Sequence, residues 1–150
     1  MHDEHAEAEL CAVMPATRAA AHETPEAEAL PAPSSGSRRA LLIHGTGPNV
    51  ESWFPQLLRT AQNARNSLGN DVEVTVVVQG PGVAALAADG GAAADVAATV
   101  DAGIGVIACG NSLAAVGLSS AALLPEVGVV PAAISYLARA QWEGAAYVRI

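Results

Sequence analysis

From residue 40 onward, short uncharged runs rich in β-branched residues alternate with stretches of helical spacing. No other feature of the chain limits its fold as much. Residues 40–44, 72–78, 104–108, 127–130 and 145–150 read as strands, and 52–68, 83–88, 94–102, 113–117, 119–124 and 132–143 as helical pieces. Such alternation predicts an α/β domain: about five mostly parallel strands in one sheet, right-handed crossovers, helices on both faces. Val72, Val74, Val76, Val77 and Val78 are too apolar for a strand wet on one side, which suits an interior parallel strand. Residues 52–68 form the clearest helix, with Phe54, Leu57, Leu58, Ala61, Ala64, Arg65 and Leu68 on one face, Ser52 as its cap and Pro55 in its first turn. In the last strand Tyr147 and Arg149 alternate with Val148 and Ile150, which predicts a place at or near the sheet edge.

The 150 residues suffice for one domain with one core. That domain is expected over 38–150. Residues 1–37 are an acidic, Ala/Glu/Pro-rich extension, expected to be largely disordered because high charge and little bulky apolar surface give it nothing to bury. The net charge of −8 is concentrated there: Asp3, Glu4, Glu7, Glu9, Glu23, Glu26 and Glu28 face a single base, Arg18. His2-Asp3-Glu4-His5 and His22 are metal-ligand types, but nothing pre-organises them, so no metal site is expected.

Several function classes drop out. No basic patch exists for a phosphate backbone, which argues against nucleic acid. Residues 102–125 are uncharged and long enough to span a bilayer, but Gly103, Gly105, Gly110, Gly117, Asn111 and Ser112 fit a strand, a turn and a helix better than a membrane span. Arg38-Arg39 lacks the apolar region that an export signal needs. Two cysteines, Cys11 in the extension and Cys109 in the body, are too few for a disulfide framework and predict a reducing, cytoplasmic setting. Gly45-Thr46-Gly47-Pro48-Asn49 is not a dinucleotide fingerprint, because Val50 stands where the third glycine belongs; it reads as a plain β–α turn, with no cofactor expected.

The chemistry concentrates at Cys109. Ile104, Val106 and Ile107 form a short buried strand, Gly110 permits a sharp reversal, and Asn111 or Ser112 can cap the helix that follows. Cys109 then stands at the carboxyl end of a parallel strand before a helix N-terminus, where backbone N–H groups favour a thiolate and where open α/β sheets bind ligands. Gly110, Asn111 and Ser112 are the expected supporting donors, with His44 and Asn49 as further candidates at the same edge. Two plainer readings stand beside these. Free cysteine is among the most buried residue types, and a strand-end histidine is commonly hydrogen-bonded structure. Trp53 is expected to wall the pocket or a subunit contact.

The order of these pieces resembles the DsrE/DsrF-like (DsrEFH) proteins, small α/β domains of sulfur-relay systems. The likeness rests on His44 followed by Trp53, Asn63 and Asn66, on the run from Val74 to Gly80-Pro81-Gly82-Val83, and on Ala108-Cys109-Gly110-Asn111-Ser112-Leu113. Leu124-Pro125, Val129-Val130-Pro131, Gln141-Trp142-Glu143-Gly144 and Tyr147 complete it. The resemblance implies a single flavodoxin-like (DsrEFH-like) domain that assembles as homo-oligomers, trimers or hexamers. It implies a persulfide carried on Cys109 and passed to a partner thiol, as in a sulfurtransferase or sulfur carrier, with sulfur-donor and sulfur-acceptor proteins or small persulfides as partners. Ala114 departs from the pattern, since relatives often carry a basic residue there. The alternative is a non-catalytic binding or assembly module in which Cys109 is structural. A further idea makes Cys11 a resolving thiol for Cys109.

Overall fold

The computed structural model describes residues 38–150. The expectations placed on 1–37, including disorder, His2, His5, His22 and Cys11, lie outside the described residues. The domain consists of β1 (Arg39–Gly45), α1 (Val50–Leu68), β2 (Val72–Val78), a 3₁₀ segment (Gly80–Leu86), α2 (Ala93–Asp101), β3 (Gly105–Cys109), α3 (Gly110–Ala115), a 3₁₀ turn (Ser120–Ala122), β4 (Gly128–Val130), α4 (Ala133–Trp142) and β5 (Ala146–Arg149).

All five strands are parallel, in the order β4-β3-β2-β1-β5. The chain steps in one direction from β1 to β4 and then returns to the opposite edge. Right-handed crossovers put every connection of the outward run on one face and the return connection, α4, on the other. The edge place beside β1, which the second strand takes in the flavodoxin order 2-1-3-4-5, belongs here to β5. One helix therefore covers the second face.

The core follows this division. On the first face Ile43, Val74, Val76, Val78, Val106 and Ala108 pack against Phe54, Leu57, Leu58 and Ala61 of α1, Leu86, and Val96 of α2. On the second, Leu42, Val77 and Cys109 meet Ala133 and Leu137 of α4, flanked by half-buried Tyr136 and Ala140. Because side chains alternate along a strand, neighbouring residues of β1 and β2 serve different cores.

Local departures from the sequence reading have physical causes. Helix α1 begins at Val50 rather than at Ser52, because Asn49 turns the chain in a left-handed conformation (φ 58) and its carbonyl accepts from Ser52 N–H (2.9 Å). Pro55 thus lies inside the helix, leaving the carbonyl of exposed Glu51 to water. The helix expected at 83–88 is a 3₁₀ segment that ends at Leu86, because residues 86–88 pair instead with 122–124: Ala88 N–H bonds Ala122 O and Leu124 N–H bonds Leu86 O. That pairing also reduces the expected 119–124 helix to one turn, capped by Ser119. Trp53 is a core residue beneath the first loops, not a pocket wall. Its indole N–H donates to Gly47 O (3.2 Å), and a Cβ on Gly45 or Gly82 would collide with its ring.

Candidate functional site

Strands β3 and β4 are neighbours whose following helices leave toward opposite faces, since α3 belongs to the outward run and α4 to the return. A crevice must open between their carboxyl ends, where doubly wound sheets bind ligands. Cys109 ends β3 and pairs with Val130, which ends β4, so its side chain stands at that crevice.

A cleft of about 390 Å³ occupies the place. Gln79, Gly80 and Pro81 form one wall, Asn111, Ser112, Ala115 and Val116 of α3 a second, and Ala132, Ala133 and Ile134 at the start of α4 a third, with Cys109 between them. No charged side chain lines it. Cys109 is only 2% exposed, so its sulfur is met from the cleft and not from the open surface.

The sulfur is surrounded by donors. Ala133 N–H, one of the first N–H groups of α4 and free of an intrahelical partner, donates to Cys109 Sγ at 3.4 Å. Ser112 Oγ accepts from Gly80 N–H (2.8 Å), which leaves its own proton for the sulfur. Burial pushes the thiol pKa up. The Ser112 hydroxyl and the N–H groups of Ala133, Ser112 and Asn111 (the last shared with Pro131 O) outweigh it and leave the thiol below its ordinary range. Neutral donors thus do here what a basic side chain at position 114 would do by charge.

Asn111 and Ser112 do not cap α3. That helix starts directly after Cys109, which takes the cap position itself, so both residues fall in the first turn and turn toward neighbouring segments. Gly110 lies behind the cleft. A Cβ there would stand 3.1 Å from Val130 O and 3.3 Å from Pro131 O, so glycine lets the end of β4 come close. Asn49 is exposed at the start of α1 and does not line the cleft.

His44 is also outside the cleft lining, one layer behind it. It is buried on β1, with Nδ1 2.8 Å from Tyr147 Oη and Nε2 3.0 Å from Gln79 Oε1. Burial pulls its pKa below the ordinary value; the Gln79 hydrogen bond opposes this and the Arg149 charge adds to it. The imidazole is therefore neutral, with Nε2–H donating to Gln79 and Nδ1 accepting from Tyr147. Sequence reasoning missed Gln79 and the start of α4. A polar residue directly after the apolar run of β2, at the same sheet edge as Cys109, was the available signal for the first. Pro131 at the turn into a helix was the signal for the second.

Among the described residues no group of three or more His, Cys, Asp or Glu side chains could hold a metal ion, and no helix is long and apolar enough to cross a membrane.

Comparison with known proteins gives a consistent picture. A solved structure of a protein of unknown function, MTH1491 from Methanobacterium thermoautotrophicum, is 29% identical, superposes with a TM-score of 0.69, and covers 75% of this chain and 99% of its own. A conserved protein of unknown function, BT1422 from Bacteroides thetaiotaomicron, is 21% identical with a TM-score of 0.60, covering 74% of this chain and 94% of its own. The ychN protein from E. coli shares the fold at 16% identity and a TM-score of 0.56, covering 75% and 99%. No curated protein matches the chain. The DsrE/DsrF-like family profile matches residues 56–150, from the second turn of α1 through β5 and including the whole Cys109 cleft. With well over half of its length matched, the chain belongs to the DsrE/DsrF-like family.

Proposed function

We propose that this protein is a sulfur carrier that holds sulfur as a persulfide on Cys109 and passes it to a partner thiol. The reading rests first on the setting of the Cys109 sulfur, on the wall of a cleft and among N–H and O–H donors that lower its pKa. The Cys109 thiolate attacks the outer sulfur of a persulfide donor, R–S–SH; the S–S bond breaks, R–S⁻ leaves, and Cys109–S–SH remains. An acceptor thiolate then attacks that outer sulfur and Cys109 departs as thiolate. Both steps are exchanges with no net oxidation. The donor is a small persulfide or a carrier protein, and the acceptor thiol enters on a slender segment, since the sulfur is reached only through the cleft. A chemistry of free thiols belongs in a reducing compartment, which we take to be the cytoplasm.

We also propose that the protein assembles with copies of itself, as a trimer or hexamer, through the α4–β5 side. Ile134 (67% exposed), Trp142 (81%) and Tyr147 are large apolar side chains left uncovered there.

The burial of Cys109 among Leu42, Val77, Ala133 and Leu137 favours a second reading, in which the cleft binds a ligand or partner segment and the cysteine only packs. Intact mass after exposure to a persulfide donor separates the two. The carrier reading expects a gain of about 32 Da per sulfur atom that a reductant reverses. The gain should persist in Cys11→Ser and vanish in Cys109→Ser. A folded wild type with a free thiol and no adduct would reject the carrier in favour of the binding module.

A further inference from the structure

The Tyr147–His44–Gln79 line ends in the cleft, and the sulfur chemistry above makes no use of it. Gln79 is the first residue beyond β2. It is still extended (φ −129, ψ 157), and its N–H carries the β1–β2 ladder one step further, to Gly45 O at 3.0 Å. Since Val78 pairs with Ala108, the next row brings Gln79 beside Cys109, one strand spacing of about 4.8 Å away. Val77, which shares the second-face core with Cys109, is two residues earlier, so Gln79 lies on the same face as the cysteine.

A primary amide has one oxygen that accepts and one nitrogen that donates. His44 Nε2–H occupies Gln79 Oε1 at 3.0 Å, which leaves donors as what Gln79 can offer the cleft. We propose, resting on the carrier reading, that Gln79 turns its amide N–H groups into the cleft as a hydrogen-bond donor to the sulfur anion on Cys109, thiolate or persulfide, and that His44 and Tyr147 set its orientation. The tautomer is the determining element. In this arrangement the Tyr147 hydroxyl donates to Nδ1 at 2.8 Å, which keeps the imidazole proton on Nε2, where Gln79 Oε1 accepts it. Were it on Nδ1, Nε2 would accept from the Gln79 amide, and Oε1, an acceptor, would face the anion instead. The groups that meet His44 are Tyr147 and Arg149 from β5 and Gln79 from the end of β2. Burial and the arginine charge lower its pKa against the pull of the Gln79 hydrogen bond, so the tautomer of the neutral ring decides which end of the amide faces the cleft. With no charged side chain on the cleft wall, Gln79 completes a set of neutral donors with Ala133 N–H and the Ser112 hydroxyl.

The test is the pH dependence of Cys109 alkylation by iodoacetamide in a Cys11→Ser background, which reports the Cys109 thiol pKa without any sulfur donor. Gln79→Met and the smaller Gln79→Ala should each raise that pKa by about one unit, slowing alkylation about tenfold at a fixed pH below it. Tyr147→Phe should move it less and in the same direction, and ¹⁵N spectra of the imidazole should show that His44 no longer holds its proton on Nε2 alone. A thiol pKa equal to wild type in either folded Gln79 variant overturns the proposal. The carrier reading is tested separately by sulfur loading of the wild type. Loading with an unmoved thiol pKa rejects only Gln79's role, and a moved pKa without loading rejects only the carrier.

Discussion

The two faces of the sheet differ in how much they bury and in what they do. The first is sealed by α1, the 3₁₀ segment and α2, and its core runs from Ile43 across Val76 to Val106 without a gap. The second is crossed by α4 alone. Its core has five fully buried members, one of them Cys109, and the exposed strand β5 borders it. The asymmetry follows from strand order: three crossovers travel outward on one side and one returns on the other. The well-covered face supplies stability. At the edge of the thin face the helices diverge, and the cleft, the thiol and the buried histidine all gather there. A site that needs an opening beside a sulfur is compatible with a face that one helix covers, and not with a sealed one.

The largest expected effect compares equivalent truncations on the two sides. Leu57, 0% exposed on α1, is enclosed by the first core, whereas Leu137 on α4 packs beside the cleft. Leu57→Ala should cost about 3–5 kcal/mol and Leu137→Ala about 2–3 kcal/mol, because the cavity beside the cleft can fill by relaxation or water. Urea unfolding of both variants gives the two numbers, and an equal or reversed order would break the comparison.

A smaller effect links the faces. Gly82 lies in the 3₁₀ segment whose first residues, Gly80 and Pro81, wall the cleft, and its Cα rests on the Trp53 ring. Gly82→Ala should cost about 1–3 kcal/mol, as overpacking does. Most of that cost should disappear when the change is made in a Trp53→Phe background, whose smaller ring clears the new methyl group. A cost unchanged by Trp53→Phe would place the strain in the backbone instead, and a double-mutant cycle measures which.

Next comes acidity. His44 is the only histidine among the described residues, and it is buried with its pKa lowered. The unfolded chain takes up a proton below about pH 6.5 while the folded chain does not, so stability should fall as pH drops beneath that value, by at most about 1.4 kcal/mol per unit. The fall should stop once pH passes the folded pKa. His44→Asn should flatten the unfolding free energy between pH 7 and pH 5. A slope that persists in that variant would assign the effect to other groups.

The architecture is legible in the sequence because valine-rich runs and helical spacing act locally: the valine-rich run 72–78 is β2 itself, and the alternation yields a parallel sheet. Strand order is not, since nothing local tells β5 which edge to join. The helix expected over 83–88 failed for the same reason, as its end is set by pairing with residues far along the chain. At the site, Cys109 and Ser112 could be picked out because strand end and helix start adjoin in sequence. Gln79 lines the cleft from the end of β2, and Ala133 reaches the sulfur from beyond β4. The partnership of His44 with Tyr147 spans almost the whole domain and leaves no local trace.

The smallest effect on folding tests the outer side of the thin face. Trp142 stands at the end of α4, 81% exposed, and Ile134 at its start, 67% exposed. Neither adds to the core, so Trp142→Ser and Ile134→Ser should each change the stability of the separated subunit by no more than about 0.5 kcal/mol. If the α4–β5 side is a contact between copies, the same substitutions remove apolar area that water would otherwise meet, and aromatic side chains commonly dominate such contacts. Sedimentation velocity of the wild type should then give a trimer or hexamer, and Trp142→Ser a smaller species with its circular dichroism unchanged. A monomeric wild type would leave the thin face bare in solution. An oligomer indifferent to both substitutions would move the contact to another surface and separate the exposure of α4 from assembly altogether.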